Sequence, residues 1–229
     1  MNFFFFHIGE TNEIVKMMVD SIKRTNSGSK IYQITDNHTL TIDQVDECLR
    51  FEGNSKNIMK FRFEAYSNIS IDNNKENIFL DTDMLVLEKL EPKDIFKKND
   101  TTFCKRQFNT DNLVNINLHN LNMKEYKNKT MLEAWPIMGC FIATKNKNLF
   151  IEMNEMYESL EEKYKFWYGD QIILKKYFEK YHHEIDLIGE YEYANLLSSY
   201  DARSNVKIMH FKGIKKNQMK DFYSRYFLA

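Results

Sequence analysis

The chain has 229 residues, 43% hydrophobic and 28% charged, a balance that supports one substantial core and makes a single domain over residues 1–229 the expectation. Its 32 Lys and Arg against 33 Asp and Glu create no strong field of either sign, which argues against nucleic acid as a partner and leaves any anionic ligand to local groups. Cys48, Cys104 and Cys140 stand in no CxxC or CxxH spacing, so neither a disulfide framework nor a structural zinc site is expected, and a reducing, cytoplasmic setting fits.

Asn2 to Ile8 is apolar without alternation and closes at Gly9, the pattern of a strand buried on both faces. The run is far shorter than the roughly 20 residues of a membrane span, and it lacks the charged leader and small-residue cleavage site of a signal peptide. Ile14, Val15, Met18, Val19 and Ile22 then recur at helical spacing, with Thr11 or Asn12 as the cap and Ser27-Gly28 as the stop. Lys30 to Thr35 is a second short strand, ending at Asp36-Asn37. Strand, helix and strand in this order predict a parallel sheet.

Asp43 to Glu52 is polar, and Ile58 to Ser67 fits a helix without excluding a strand. After the polar loop 72–77, Ile78 to Val86 reads as a buried strand that runs straight into two carboxylates, Asp81 and Asp83, before apolar residues resume. A short helix from Pro92 to Phe96 and a strand at Thr101 to Lys105 follow, and the Asn-rich stretch Asn109 to Asn122 is uninformative. Trp135 to Ala143 is a strand containing Gly139, where a ligand or another backbone is expected to approach. Helices are expected over Leu149 to Tyr164, Asp170 to Lys180 and Met219 to Phe227, with a strand at Val206 to Phe211. No repeat or linker divides the chain.

Aspartates two apart at a strand end bring two hard oxygen ligands to one side of a turn, which suits Mg²⁺ or Mn²⁺ shared with a diphosphate. The plain alternative, Asp81 capping a turn and Asp83 in solvent, leaves charge beside apolar strands without a counter-ion. His210-Phe211-Lys212-Gly213, with Lys216 beyond, adds an imidazole ligand, a glycine that admits phosphate to the backbone, and a cation for a leaving diphosphate. Alone, a histidine after a strand is more often structural and a lysine near the C-terminus is usually solvated; it is the joint pattern that favours a site. Asp170-Gln171 falls at a helix start, where Asp170 is either the N-cap or a functional carboxylate.

The order Leu80-Asp81-Thr82-Asp83, then Gly139 within a strand, then Asp170-Gln171, then His210-Phe211-Lys212-Gly213 and Lys216 resembles the motif set of the family 8 glycosyltransferases and their relatives. That resemblance implies a single-domain α/β GT-A fold, Rossmann-like, with a mixed, mostly parallel central sheet flanked by helices. It implies that Asp81, Asp83 and His210 hold Mn²⁺ or Mg²⁺ on the diphosphate of a nucleoside-diphosphate sugar, first of all a UDP-sugar. Gly213 and Lys216 would contact the phosphates, and Arg62, or Lys60 in its place, would hold the donor. Asp170 and Gln171 would lie near the transferred sugar or the acceptor, with Gly139 beside them. The exit of the first strand, with His7, Gly9 and Thr11, would receive the base. The implied activity is hexosyl transfer to a glycan, lipid-linked or protein acceptor with retention of configuration, the acceptor binding in a surface cleft. Ile137-Met138-Gly139 stands where the family has Asn-Ser-Gly, and no Pro-Trp follows Lys216.

Two other readings compete. A haloacid dehalogenase-like phosphoryl-transfer enzyme also uses Asp-x-Asp at a strand end, but near its N-terminus, and it would accumulate an aspartyl phosphate. A catalytically silent nucleotide-sugar-binding module would bind the donor without turnover.

Overall fold

A computed structural model describes residues 1–10, 13–115, 124–165 and 168–228. β1 (Asn2–Phe6), α1 (Glu13–Thr25) and β2 (Lys30–Thr35) follow the expected strand, helix, strand order, and β1 pairs with β2 in parallel. The cap expected at Thr11 or Asn12 lies outside the described residues. The polar stretch contains a short strand, β3 (Glu47–Arg50), at the sheet edge, where half-buried faces leave no apolar signature. The ambiguous segment is a helix, α2 (Ile58–Ser67), capped by Asn57.

The strand expected to run into the two aspartates is β4 (Asn77–Leu80), and the apolar residues that resume after them form a separate strand, β5 (Met84–Val86), in a different sheet. Both are buried and, apart from Asn77 at the start of β4, apolar, so composition alone does not show that they belong to different sheets. α3 (Pro92–Ile95), β6 (Thr101–Lys105), α4 (Met131–Ala134) and β7 (Ile137–Thr144) come next. The helix expected to reach Tyr164 stops earlier: α5 (Leu149–Glu158) is followed by a separate 3-10 turn at Glu162–Tyr164. After α6 (Gly169–Tyr181) come three elements the sequence does not announce: β8 (Ile185–Gly189), α7 (Glu190–Tyr193) and β9 (Asn195–Leu196). They are short, and β8 carries a carboxylate, Asp186, at its second position. β10 (Ile208–His210) and α8 (Met219–Phe227) complete the chain.

Among the described residues, seven strands form the central sheet in the order β3-β2-β1-β4-β7-β6-β8, all parallel except β7, which runs against both its neighbours. A smaller sheet has the order β5-β10-β9. The architecture is therefore α/β, with a mostly parallel sheet between helices. Phe3 and Phe5 face a core shared with α1, α8 and the small sheet. Phe4 faces the other core, against α2, α5 and α6, and stacks on Phe79 with ring centroids 4.8 Å apart. The Phe run is thus buried on both sides, as its lack of alternation requires. No helix among the described residues is long and apolar enough to cross a membrane.

From β1 the chain passes to β2 on one side, yet β4 lies on the other. The crevice at such a reversal, beyond the carboxyl ends of the strands, is where open α/β sheets bind ligands. Phe5 is in register with Leu80, so His7 and Asp81 leave β1 and β4 side by side.

Candidate functional site

Asp81 follows β4, and its N–H donates to the Cys140 carbonyl at 3.1 Å, the last bond to β7 before the chain turns. Asp83 precedes β5, whose Met84 pairs with His210 of β10. α1 braces that small sheet, Ser21 Oγ accepting from Val86 N at 3.1 Å, and just beyond the helix Asn26 Oδ1 accepts from Leu90 N, after β5, at 2.9 Å. The Asp83 carbonyl accepts from Phe211 N at 2.9 Å, locking the turn to the strand that carries the histidine. Two sheets therefore deliver Asp81, Asp83 and His210 to one point, where each offers a ligand atom within 4.8 Å of the others.

Lys216 Nζ reaches Asp83 Oδ2 at 2.9 Å, and His210 Nε2 lies 3.3 Å from Asp83 Oδ1. Burial opposes ionisation of Asp83, but His210 and Lys216 outweigh it and hold the carboxyl at about 2. Asp81 is more open. Burial, partly offset by Arg62 and reinforced by Asp83, raises its carboxyl above the usual range.

Arg62 of α2 is bidentate between two acids, with Nη1 at 3.2 Å from Asp81 Oδ1 and Nη2 at 2.6 Å from Asp170 Oδ2. Lys60, its sequence alternative, turns away to Glu64 and Glu158. Asp170 is not the N-cap of α6, whose cap position is Tyr168. It lies in the first turn, accepting from Gln171 N at 2.7 Å while it holds Arg62. Gly139 explains how α6 comes so near: a Cβ there would stand 2.8 Å from Gln171 Nε2 and 3.4 Å from Asp170 Oδ2. The close approach expected at this glycine is made by a helix.

Three carboxylates, Asp81, Asp83 and Asp170, thus face two cations, Arg62 and Lys216. The surplus negative charge, the hard-oxygen and imidazole donor set, and a His210 Nδ1 buried without a partner fit a divalent cation.

The remaining expected residues are placed less directly. His7 is buried, its N–H donates to Ile34 O, its carbonyl accepts from Thr35 Oγ1 at 2.6 Å, and its Nε2 has no partner. Burial lowers its imidazole below the usual value against the pull of the Glu10 backbone and Asp36. Gly9, at φ 100°, donates its N–H to Thr39 Oγ1 at 2.8 Å. Gly213, at φ 57°, has open space where a side chain would begin. Thr11 lies outside the described residues. Asp81, Asp83, His210, Lys216, Arg62, Asp170, Gln171 and Gly139 are linked by the contacts above; His7, Gly9 and Gly213 touch none of the acids.

Two charged residues absent from the sequence reading belong to the same edge. Arg106 follows β6 and donates through Nε to the Trp135 carbonyl at 2.8 Å. Glu190 is fully buried and bonded to Lys212 Nζ at 2.8 Å. The available signal was an arginine immediately after a buried strand.

No protein-family model matches the chain, and no curated protein matches it by sequence. Solved structures do. The glycosyltransferase GlyE of Streptococcus pneumoniae TIGR4 has a TM-score of 0.58 at 13% identity, covering 99% of this chain, which spans 60% of the GlyE chain. The galactosyltransferase LgtC, solved in complex with donor and acceptor sugar analogs, has a TM-score of 0.57 at 12% identity, covering 100% of this chain and 97% of its own. The chain shares the GT-A fold of these glycosyltransferases.

Proposed function

We propose that this protein is a glycosyltransferase that moves a sugar from a nucleoside diphosphate, a UDP-sugar first among the candidates, to a hydroxyl of a glycan, lipid-linked or protein acceptor, with retention of configuration. The carrying observation is the convergence of Asp81, Asp83 and His210 within 4.8 Å at the crevice of the sheet. These three would hold Mn²⁺ or Mg²⁺, which when bound neutralises charge on the departing diphosphate.

The chain supplies the rest. Lys216 exchanges Asp83 for a phosphate oxygen, and Gly213 lets a phosphate approach the backbone. Arg62 stands against the donor while keeping Asp170 in place. Asp170 and Gln171 orient the acceptor or stabilise the oxocarbenium-like centre; Gln171 Oε1, buried without a partner, would accept from a sugar hydroxyl. The backbone N–H groups of His7 and Gly9 are already used, so the base is met by the His7 ring and by the chain beyond it, including Thr11. Three free cysteines support a reducing, cytoplasmic setting.

The test is thermal stabilisation by a panel of nucleoside diphosphates and their sugars, with and without Mn²⁺, followed by donor hydrolysis and transfer assays. A shift for one nucleotide that needs Mn²⁺ and is lost in Asp83→Ala supports the reading and identifies the base. No shift for any nucleotide rejects it, and binding without turnover makes the protein a binding module instead.

A further inference from the structure

Arg106 is the first residue beyond β6, at the same edge of the sheet as Asp81. Its N–H donates to Pro136 O at 2.8 Å, and its Nε to Trp135 O at 2.8 Å. The Trp135 ring stacks on Tyr168, 4.5 Å away and 3° from parallel, immediately before α6. The guanidinium is thereby oriented by the backbone that frames the site, and the residue is only 6% exposed. Its terminal nitrogens have no hydrogen-bond partner among the described residues and keep contact with solvent.

A cation so buried needs an anion. None of the described carboxylates forms an ion pair with it. Glu190, the acid whose field reaches it, is committed elsewhere: Oε1 to Lys212 Nζ, and Oε2 to the N–H groups of Gln107 and Phe108, both at 2.8 Å. Arg106 and Lys212 therefore share one carboxylate, leaving a positive surplus at the foot of the crevice. Arg62 shows the opposite arrangement, with two acids of its own. Consistently, burial holds the Arg106 guanidinium below its ordinary range, and Glu190 only partly offsets this.

β4 and β6 flank β7, so two strand spacings, about 10 Å, separate the two strand ends. That distance removes Arg106 from a diphosphate bound at Asp81, Asp83 and His210 and leaves it beside the sugars. We propose that Arg106 is a specificity-determining residue that binds a carboxylate or phosphate carried by one of the sugar substrates, the transferred sugar or the acceptor. The inference rests on the glycosyltransferase reading and adds to it the chemical class of the sugar.

Calorimetric titration of the full chain with Mn²⁺ tests it in two arms, using uridine nucleotides or those of whichever base the panel selects. The donor arm compares UDP-glucuronate with UDP-glucose. The acceptor arm, with UDP bound, compares methyl glucuronide and glucose 6-phosphate with methyl glucoside. The expected result is a preference for the anionic probe of about tenfold or more in one arm, which identifies the source, since a charge-assisted bond to an oriented guanidinium is lost with the neutral probe. In Arg106→Gln the ratio falls to roughly twofold or less, and Arg106→Lys retains part of it, keeping the charge without the fork. The wild-type ratio needs no variant to fold. Nucleotide binding with no anionic preference in either arm, or a preference that survives Arg106→Gln, overturns this inference alone. No nucleotide binding at all overturns the functional reading and this inference together.

Discussion

Arg62 Nη2 lies 2.6 Å from Asp170 Oδ2 while Nη1 of the same guanidinium lies 3.2 Å from Asp81 Oδ1. One side chain of α2 thus couples the acid that ends β4 to the acid that begins α6. The arginine is the shared counter-cation of the two carboxylates, and it partly offsets the burial that raises the Asp81 carboxyl.

Removing that cation should therefore cost more than an ordinary surface pair. The Arg62 side chain is 14% exposed, and breaking a buried pair from one side typically costs about 3–5 kcal/mol. Arg62→Ala should lose stability of that order in urea denaturation. Arg62→Lys should lose less, because an ammonium can meet one acid but not span both. Equal loss in both variants would contradict the bidentate role.

Gly139→Ala should separate folding from function. The nearest obstacle is the tip of Gln171, a flexible side chain, so the fold should yield at a cost of about 1–2 kcal/mol. Turnover should fall further, by roughly tenfold or more, because Gln171 and Asp170 move. Melting temperature and kcat/KM on the same preparation check this. Unchanged turnover would remove the first turn of α6 from the reaction.

Lys216 competes with a metal for Asp83. In Lys216→Met, Asp83 Oδ2 is released from its bond at 2.9 Å, so Mn²⁺ alone should bind more tightly, by several-fold. The nucleoside diphosphate should bind more weakly in the same variant, since the cation for its phosphate is gone. Titration with Mn²⁺ and with nucleotide, read separately, should show opposite signs; a parallel change would place Lys216 outside the site.

Asp186 should contribute acid-sensitive stability. Its Oδ2 accepts from the N–H groups of Lys97, Lys98 and Asn99 at 2.7, 2.8 and 3.0 Å. Burial opposes the charge, but these bonds prevail and lower the carboxyl below its ordinary 3.8. The folded state therefore holds the proton less tightly than the unfolded chain. The stabilisation is complete above the ordinary value and fades as pH falls through the lowered one. Asp186→Asn should cost roughly 1–3 kcal/mol at neutral pH, and the difference from wild type should shrink on acidification below that window. Denaturation midpoints across pH 2–7 measure it.

The βαβ start was legible because its strands are uniformly apolar and its helix keeps a helical period; both strands and the helix lie where the pattern puts them. β3, β8 and β9 were not, because they are short, and partly exposed or interrupted by a carboxylate, so their signal is pairing and not composition. Asp81 and Asp83 stood out as charges beside buried apolar residues. That β4 and β5 belong to different sheets was hidden by that same apolarity.

The sequence by itself determined the acids, the distal histidine and lysine, and the order in which a mixed sheet would present them. Chain order and residue chemistry are local properties that any conformation retains. Only the tertiary structure decided that Asp83 and Lys216 meet, that Gly139 admits a helix, and that Arg62 is ion-paired to two acids while Arg106 is ion-paired to none among the described residues. Those facts depend on which strand ends lie side by side, and strand neighbours follow from long-range pairing and the burial of two faces, not from spacing along the chain.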